Sequence, residues 1–188
     1  LDARGWRTGD TVAVQLPNWV EFIEVVAALS RLGIITVPIM PIYRRDEVGY
    51  VVGHAEARAV ITPASFKGFD YLDMHRDVRT EHPGLEILVV RPDAAALVAV
   101  DEKGSGVGTL DAARTRTVPA ASDLPAQPSP DDPFVIVYTS GTTGAPKGAL
   151  NTHLGLLNMC RWQTGDFAMD ADCTQTVAAN PAFDAIMW

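Results

Sequence analysis

The stretch Phe134–Gly148, FVIVYTSGTTGAPKG, sets two kinds of sequence back to back. Residues 134–138 are apolar and β-branched without interruption, long enough for a strand covered on both faces and too short for a stable helix. Residues 139–148 are mostly small or polar. Thr139, Ser140, Thr142 and Thr143 supply hydroxyls, Gly141, Gly144 and Gly148 leave the backbone bare, and Lys147 adds a positive charge. Hung on the carboxyl end of a buried strand, such a loop can wrap backbone N–H groups and hydroxyls around phosphate oxygens. The expectation is a nucleotide phosphate loop.

Upstream, strand and helix patterns alternate. Residues 11–16 read as a strand, and from Asn18 to Leu32 the apolar residues Trp19, Phe22, Ile23, Val26, Leu29 and Leu32 recur at three- and four-residue steps, with Gly33 as the stop. Residues 34–37, 59–61 and 86–90 read as further strands. Residues 44–54, with Val48, Val51 and Val52 inward, and 71–82 read as helices. This spacing suits right-handed parallel crossovers, so the expected fold class is α/β, an open, mostly parallel sheet flanked by helices. Between Pro92 and Pro133, Ala, Pro, Ser and Asp dominate, and residues 92–133 are expected to be an internal surface linker. Beyond the loop, Ala149–Thr152 reads as a return strand and Thr152 as the cap of a helix over 154–162, with Leu156, Leu157 and Met159 available for packing.

The chain has 188 residues, 47% of them apolar, and a formal charge of −8. It has a core to bury. The acidity argues against nucleic acid or an anionic membrane as partner, because both need a basic face to release counterions. No apolar run reaches membrane-span length and no secretory leader opens the chain, so a cytoplasmic protein is expected. Cys160 and Cys173 form no Cys-x-x-Cys pair and have no His at ligand spacing, which points to ordinary thiols and no protein-held metal. Leu1 at the start and Trp188 just after a strand-like run suggest part of a longer protein.

The loop fits neither familiar nucleotide motif. A Walker loop needs a hydroxyl residue directly after its lysine and a helix beginning there, whereas Pro146 precedes Lys147 and Gly148 follows it. No Gly-x-Gly-x-x-Gly turn with a distal acidic residue supports a dinucleotide fold. The glycines instead suit a loop that must move, Pro146 limits one joint, and Lys147 can neutralise charge on a departing polyphosphate.

YTSGTTGAPKG resembles the signature loop of the adenylate-forming (AMP-binding) superfamily, which holds acyl-CoA synthetases, amino-acid adenylation domains and luciferases. GWRTGDTVAVQLPNWVEF and ALSRLGIITVPIMPIYRRDEVGYVV resemble the amino-terminal region of acyl- and aryl-CoA ligases. The resemblance implies that residues 1–188 are part of the large amino-terminal domain, with the small carboxy-terminal domain outside the chain. It implies ATP and Mg²⁺, with Thr139, Ser140, Gly141, Thr142, Thr143, Gly144, Lys147 and Gly148 at the phosphates and Lys147 and Thr142 nearest the chemistry. It also implies an acyl-adenylate formed from a small-molecule carboxylic acid, then transfer to CoA or to a carrier-protein phosphopantetheine thiol. The segment PAFDAIMW, Pro181–Trp188, bears on the acid. Many acyl-CoA synthetases carry His after the Phe, whereas here Phe183 is followed by Asp184, as in amino-acid adenylation domains, whose Asp binds the substrate ammonium. NTHLGLLN, Asn151–Asn158, leans the same way and the amino-terminal half leans towards CoA ligases, so both readings stay open beside a non-catalytic nucleotide-binding remnant. His153 is expected to be structural, and Arg44, Arg45, His54, His75 and His82 to be solvated surface.

Overall fold

The computed structural model describes residues 5–101, 106–110, 126–139, 145–170 and 172–174. In chain order the elements are β1 (Thr11–Val14), α1 (Val20–Arg31), β2 (Ile35–Pro38), α2 (Arg45–His54), β3 (Ala59–Pro63), β4 (Ser65–Phe66), β5 (Phe69–Asp70), α3 (Tyr71–Glu81), β6 (Glu86–Val90), α4 (Ala94–Asp101), β7 (Val107–Thr109), β8 (Pro133–Thr139), β9 (Lys147–Thr152) and α5 (His153–Asp166). Seven strands form one sheet in the order β7-β6-β3-β1-β2-β8-β9. All neighbours run parallel except β9, which returns antiparallel along β8.

The order follows from handedness. The chain steps from β1 to β2 in one direction and then back across β1 to β3 and β6, and a right-handed crossover puts helices from opposite steps on opposite faces. Val12, Val14 and Leu16 accordingly pack with Phe22, Val25 and Leu29 of α1. Ala13, Val37 and Val60 pack on the other face with Val48, Val51 and Val52 of α2 and Leu72 and Val78 of α3. Apolar runs in these strands, instead of strict alternation, reflect this double cover.

Gly33 ends α1 at φ +66, where a Cβ would lie 2.8 Å from Thr8 Cγ2. The stop read from sequence is therefore required both by backbone and by space. The buried stripe of α1 is narrower than its apolar pattern. Phe22, Val25 and Leu29 are buried, while Ile23 is 59% exposed. Glu21, which the pattern assigns to water, is buried instead and accepts from Arg91 Nε and Nη2 at 2.9 and 3.0 Å.

The expected linker over 92–133 is corrected in its first part. Ala94–Asp101 is helix α4, begun by Asp93 Oδ1 accepting from the Ala96 N–H at 2.8 Å. Val107–Thr109 is strand β7, paired to β6 through Ile87↔Val107, Leu88↔Gly108 and Val89↔Thr109. Three residues carry no readable period, and it is the unpaired edge of β6 that makes them a strand. The β4–β5 hairpin also went unread, although its tip places Lys67 and Gly68 at φ 50 and 78, as a tight hairpin turn needs.

After β9, Thr152 Oγ1 accepts from the Gly155 N–H at 3.3 Å, the cap expected for α5. Leu156 packs against Phe134, Val135 and Val137, but Leu157 is 42% exposed and contributes little. Among the described residues no helix is long and apolar enough to cross a membrane.

Two substitutions on α1 separate the observed stripe from the apolar pattern. Leu29→Ala should cost about 2–5 kcal/mol, whereas Ile23→Ala should stay within about 0.5 kcal/mol, both read by urea denaturation.

Candidate active site

Ligands of open α/β sheets bind beyond the carboxyl ends of the strands, where adjacent connections leave to opposite faces. Here that point is β1, whose connection goes to the α1 face while those of its neighbours β2 and β3 go to the α2–α3 face. An open cleft of about 680 Å³ lies there, walled by Trp19, Arg44, Phe66, Lys67, Phe69 and Tyr71 among others. Trp19 and Phe66 meet edge to face with centroids 5.7 Å apart. The Arg91 guanidinium covers the Trp19 ring at 4.1 Å, and that of Arg44 covers Phe69 at 4.0 Å. The sequence reading missed this cleft, because its residues are scattered over the ends of β1 and β2 and the β4–β5 hairpin.

The loop after β2 forms the cleft floor and is held from beneath. Gln15 Nε2 donates to the carbonyls of Met40 at 3.1 Å and Tyr43 at 3.2 Å. Tyr71 Oη donates to the Pro41 carbonyl at 2.8 Å, and Arg44 Nη1 donates to Pro41 and Tyr43 carbonyls at 2.8 and 3.0 Å. Gln15 is positioned in turn by His75, whose Nε2–H donates to Gln15 Oε1 at 2.8 Å. Of the residues expected at the surface, His75 is instead part of the core, while Arg44 is exposed and the Arg45 side chain is 42% exposed, both with partners. His75 is fully buried, with its pKa pushed down to about 3 by desolvation. Arg44 clasps the loop, and Arg45 pairs with Asp77 and Glu81 of α3. Each has a partner distant in sequence or on another element, which a local pattern does not reveal.

The FVIVYTSGTTGAPKG stretch reaches the same edge of the sheet. It is a hairpin: β8 runs out to Thr139 and β9 returns from Lys147, the two directly paired. This geometry agrees with rejection of a Walker loop, in which a helix would come next. Thr139 and Lys147 are exposed at the rim. Gly148 pairs with Tyr138, and a Cβ on it would lie 2.8 Å from Ile136 Cγ2 and 3.2 Å from Tyr138 Cζ. Its bareness thus serves packing in the stem. Ser140, Gly141, Thr142, Thr143 and Gly144 lie outside the described residues, as do Phe183 and Asp184. His153 packs against Phe134 at 5.2 Å, and its backbone N–H donates to the Asp132 carbonyl at 3.1 Å.

Fold and edge together define an open α/β domain whose ligand side combines a polar hairpin with an aromatic, cationic cleft. The profile of the AMP-binding enzyme family matches residues 1–188, and the chain belongs to that family. It is 31% identical over 179 residues to the salicylyl-CoA synthase / salicylate adenylyltransferase of a Streptomyces species, covering 93% of this chain and 31% of that protein. It is 27% identical over 155 residues to the medium-chain fatty-acid–CoA ligase of Escherichia coli K12, covering 82% of this chain and 26% of the ligase. An anthranilate CoA ligase in complex with anthranoyl-AMP superposes with a TM-score of 0.69 at 25% identity, over 87% of this chain and 29% of that one. The chain thus spans less than a third of these relatives.

Burial of His75 has a measurable consequence. Below pH about 6.5 the unfolded chain takes up a proton that native His75 refuses until about pH 3, so the unfolded state binds more protons and stability falls with pH. The loss should reach at most about 1.4 kcal/mol per pH unit. Urea denaturation between pH 7 and 4.5 should give a slope shallower by one proton in His75→Gln.

Proposed function

We propose that the protein containing this chain activates a carboxylic acid with ATP to an acyl-adenylate, releasing pyrophosphate, and passes the acyl group to the thiol of coenzyme A. The observation that carries this reading is the β8–β9 hairpin, which opposes Thr139 and Lys147 at the ligand edge of an AMP-binding-family sheet. A carboxylate oxygen attacks the α-phosphorus, and the bond from that phosphorus to the bridging oxygen of the β-phosphate breaks. Charge then builds on the departing pyrophosphate. Lys147 and the hydroxyls of Thr139, Ser140, Thr142 and Thr143, with the backbone of Gly141 and Gly144, are suited to offset it, Lys147 and Thr142 standing nearest the chemistry. Mg²⁺ bound together with the nucleotide would supply further positive charge.

The cleft favours coenzyme A as acceptor. Its aromatic walls suit an adenine ring, and Arg44 and Lys67 suit phosphate. On this reading residues 1–188 are part of an amino-terminal domain completed by a small carboxy-terminal one. The stretch alone then gives no turnover, and the complete enzyme works in the cytoplasm. A second reading rests on Phe183-Asp184: a carboxylate beside the acid pocket suits an α-ammonium, which points to amino-acid adenylation and loading of a carrier-protein thiol.

The complete protein should exchange labelled pyrophosphate into ATP only with an acid present, and Lys147→Ala should slow that exchange roughly 100-fold. Absence of exchange with every aryl, aliphatic and amino acid tried would remove the adenylation reading. A strict need for an α-amino group, lost in Asp184→Ala, would favour the second reading over the first.

A further inference from the structure

We propose that His54 is a positioning residue for the β8–β9 hairpin: through Tyr138 it sets the orientation of Thr139 and Lys147, and so the affinity for ATP, a role that rests on the adenylation reading. The need for such an anchor comes from the sheet. Among the described residues β9 is an edge strand with β8 as its one strand neighbour, and β8 lies beside β2 in the register Thr36↔Val135. With β9 paired on one side, side chains on both faces of β8 add to what holds the hairpin. On one face Phe134, Val135 and Val137 pack with Leu156 and Val26. On the other the load falls on Ile136 and Tyr138, which pack against the α2–α3 core.

Tyr138 is only 8% exposed although it stands one residue from the end of its strand. Its hydroxyl lies 2.6 Å from His54 Nδ1, at the last residue of α2, and the two rings meet edge to face at 5.7 Å. The His54 ring is itself stacked on Tyr50, 5.5 Å away and 21° from parallel. Burial, and secondarily Tyr50, push the phenol pKa up, and the phenol oxygen and Nδ1 share one hydrogen bond. The slot that allows this is Gly148, directly across from Tyr138, where any Cβ would meet Ile136 and the phenol ring. The next rung of the ladder is Thr139↔Lys147. Since a strand residue is tied to its face by its neighbour's register, the His54–Tyr138 bond is the last fixed point before the two residues that face the ligand.

His54 is exposed, so its replacement leaves the core intact. Phe at 54 keeps the stack on Tyr50 and deletes only the bond; Phe at 138 deletes the same bond from the other side. In the complete enzyme His54→Phe and Tyr138→Phe should each raise KM for ATP in pyrophosphate exchange about fivefold, the effect of one net hydrogen bond, leaving KM for the acid unchanged. The double variant should be no worse than either single one. Hydrogen exchange of the amides in 137–150 should speed up by a similar factor in His54→Phe, with amides of β1 and β3 unaffected. Unchanged exchange in the hairpin overturns the proposal, and so does faster exchange with an unaltered KM for ATP. A wild-type enzyme without acid-dependent pyrophosphate exchange, but with the hairpin loosened in His54→Phe, keeps the anchor and removes the adenylation reading instead.

Discussion

Strand β1 is shielded from water on both faces, and the positions of the other parts follow from that. Val12 and Val14 face one core, Ala13 faces the other, and all three are wholly buried. To cover both faces the chain must send its first helix one way and the next two the other, which right-handed connections allow only if the strand order reverses at β1. The same reversal splays the loops apart at the carboxyl edge and opens the cleft. Burial of the sheet and the place for a ligand are two consequences of one topological step.

The floor of that cleft is unusually polar beneath. A neutral imidazole in the core would be costly unless bonded, and His75 commits its one N–H to Gln15, which commits both of its own to the loop after β2. Desolvation holds His75 neutral, and a neutral ring of fixed tautomer is a better strut than one that changes charge with pH. Arg44 and Tyr71 hold the same loop. Such a loop does not have to reorganise when a ligand arrives, which is the property a binding edge gains from rigid support.

The hairpin is built on the opposite principle. Among the described residues the chain re-enters as strand β9 and not as a helix, and β9 is paired to β8 on one side. Restraint comes from side chains on either face of β8. That arrangement suits a loop that holds a polyphosphate and must then release its leaving half.

Periodicity and turn chemistry were enough to read α1, α2, α3 and the strands β1, β2, β3 and β6, because each carries a whole period of apolar residues or a glycine stop such as Gly33. The same reading placed Thr152 as a cap, a local interaction three residues long. It failed at β7, too short to carry a period, and at His75, whose partner Gln15 lies on a distant part of the chain. The polar loop stood out in composition, with hydroxyls, glycines and one lysine after an apolar run, and its stem is the β8–β9 hairpin. The tertiary setting was not legible: the cleft and the bond from Tyr138 to His54 join positions far apart in sequence, and the slot at Gly148 depends on the register of β8 with β9. By itself the sequence determined the longer elements and the composition of the loop, because both depend on neighbours along the chain. Only the tertiary structure decided which groups share an edge of the sheet, because that depends on strand order, which no local pattern encodes.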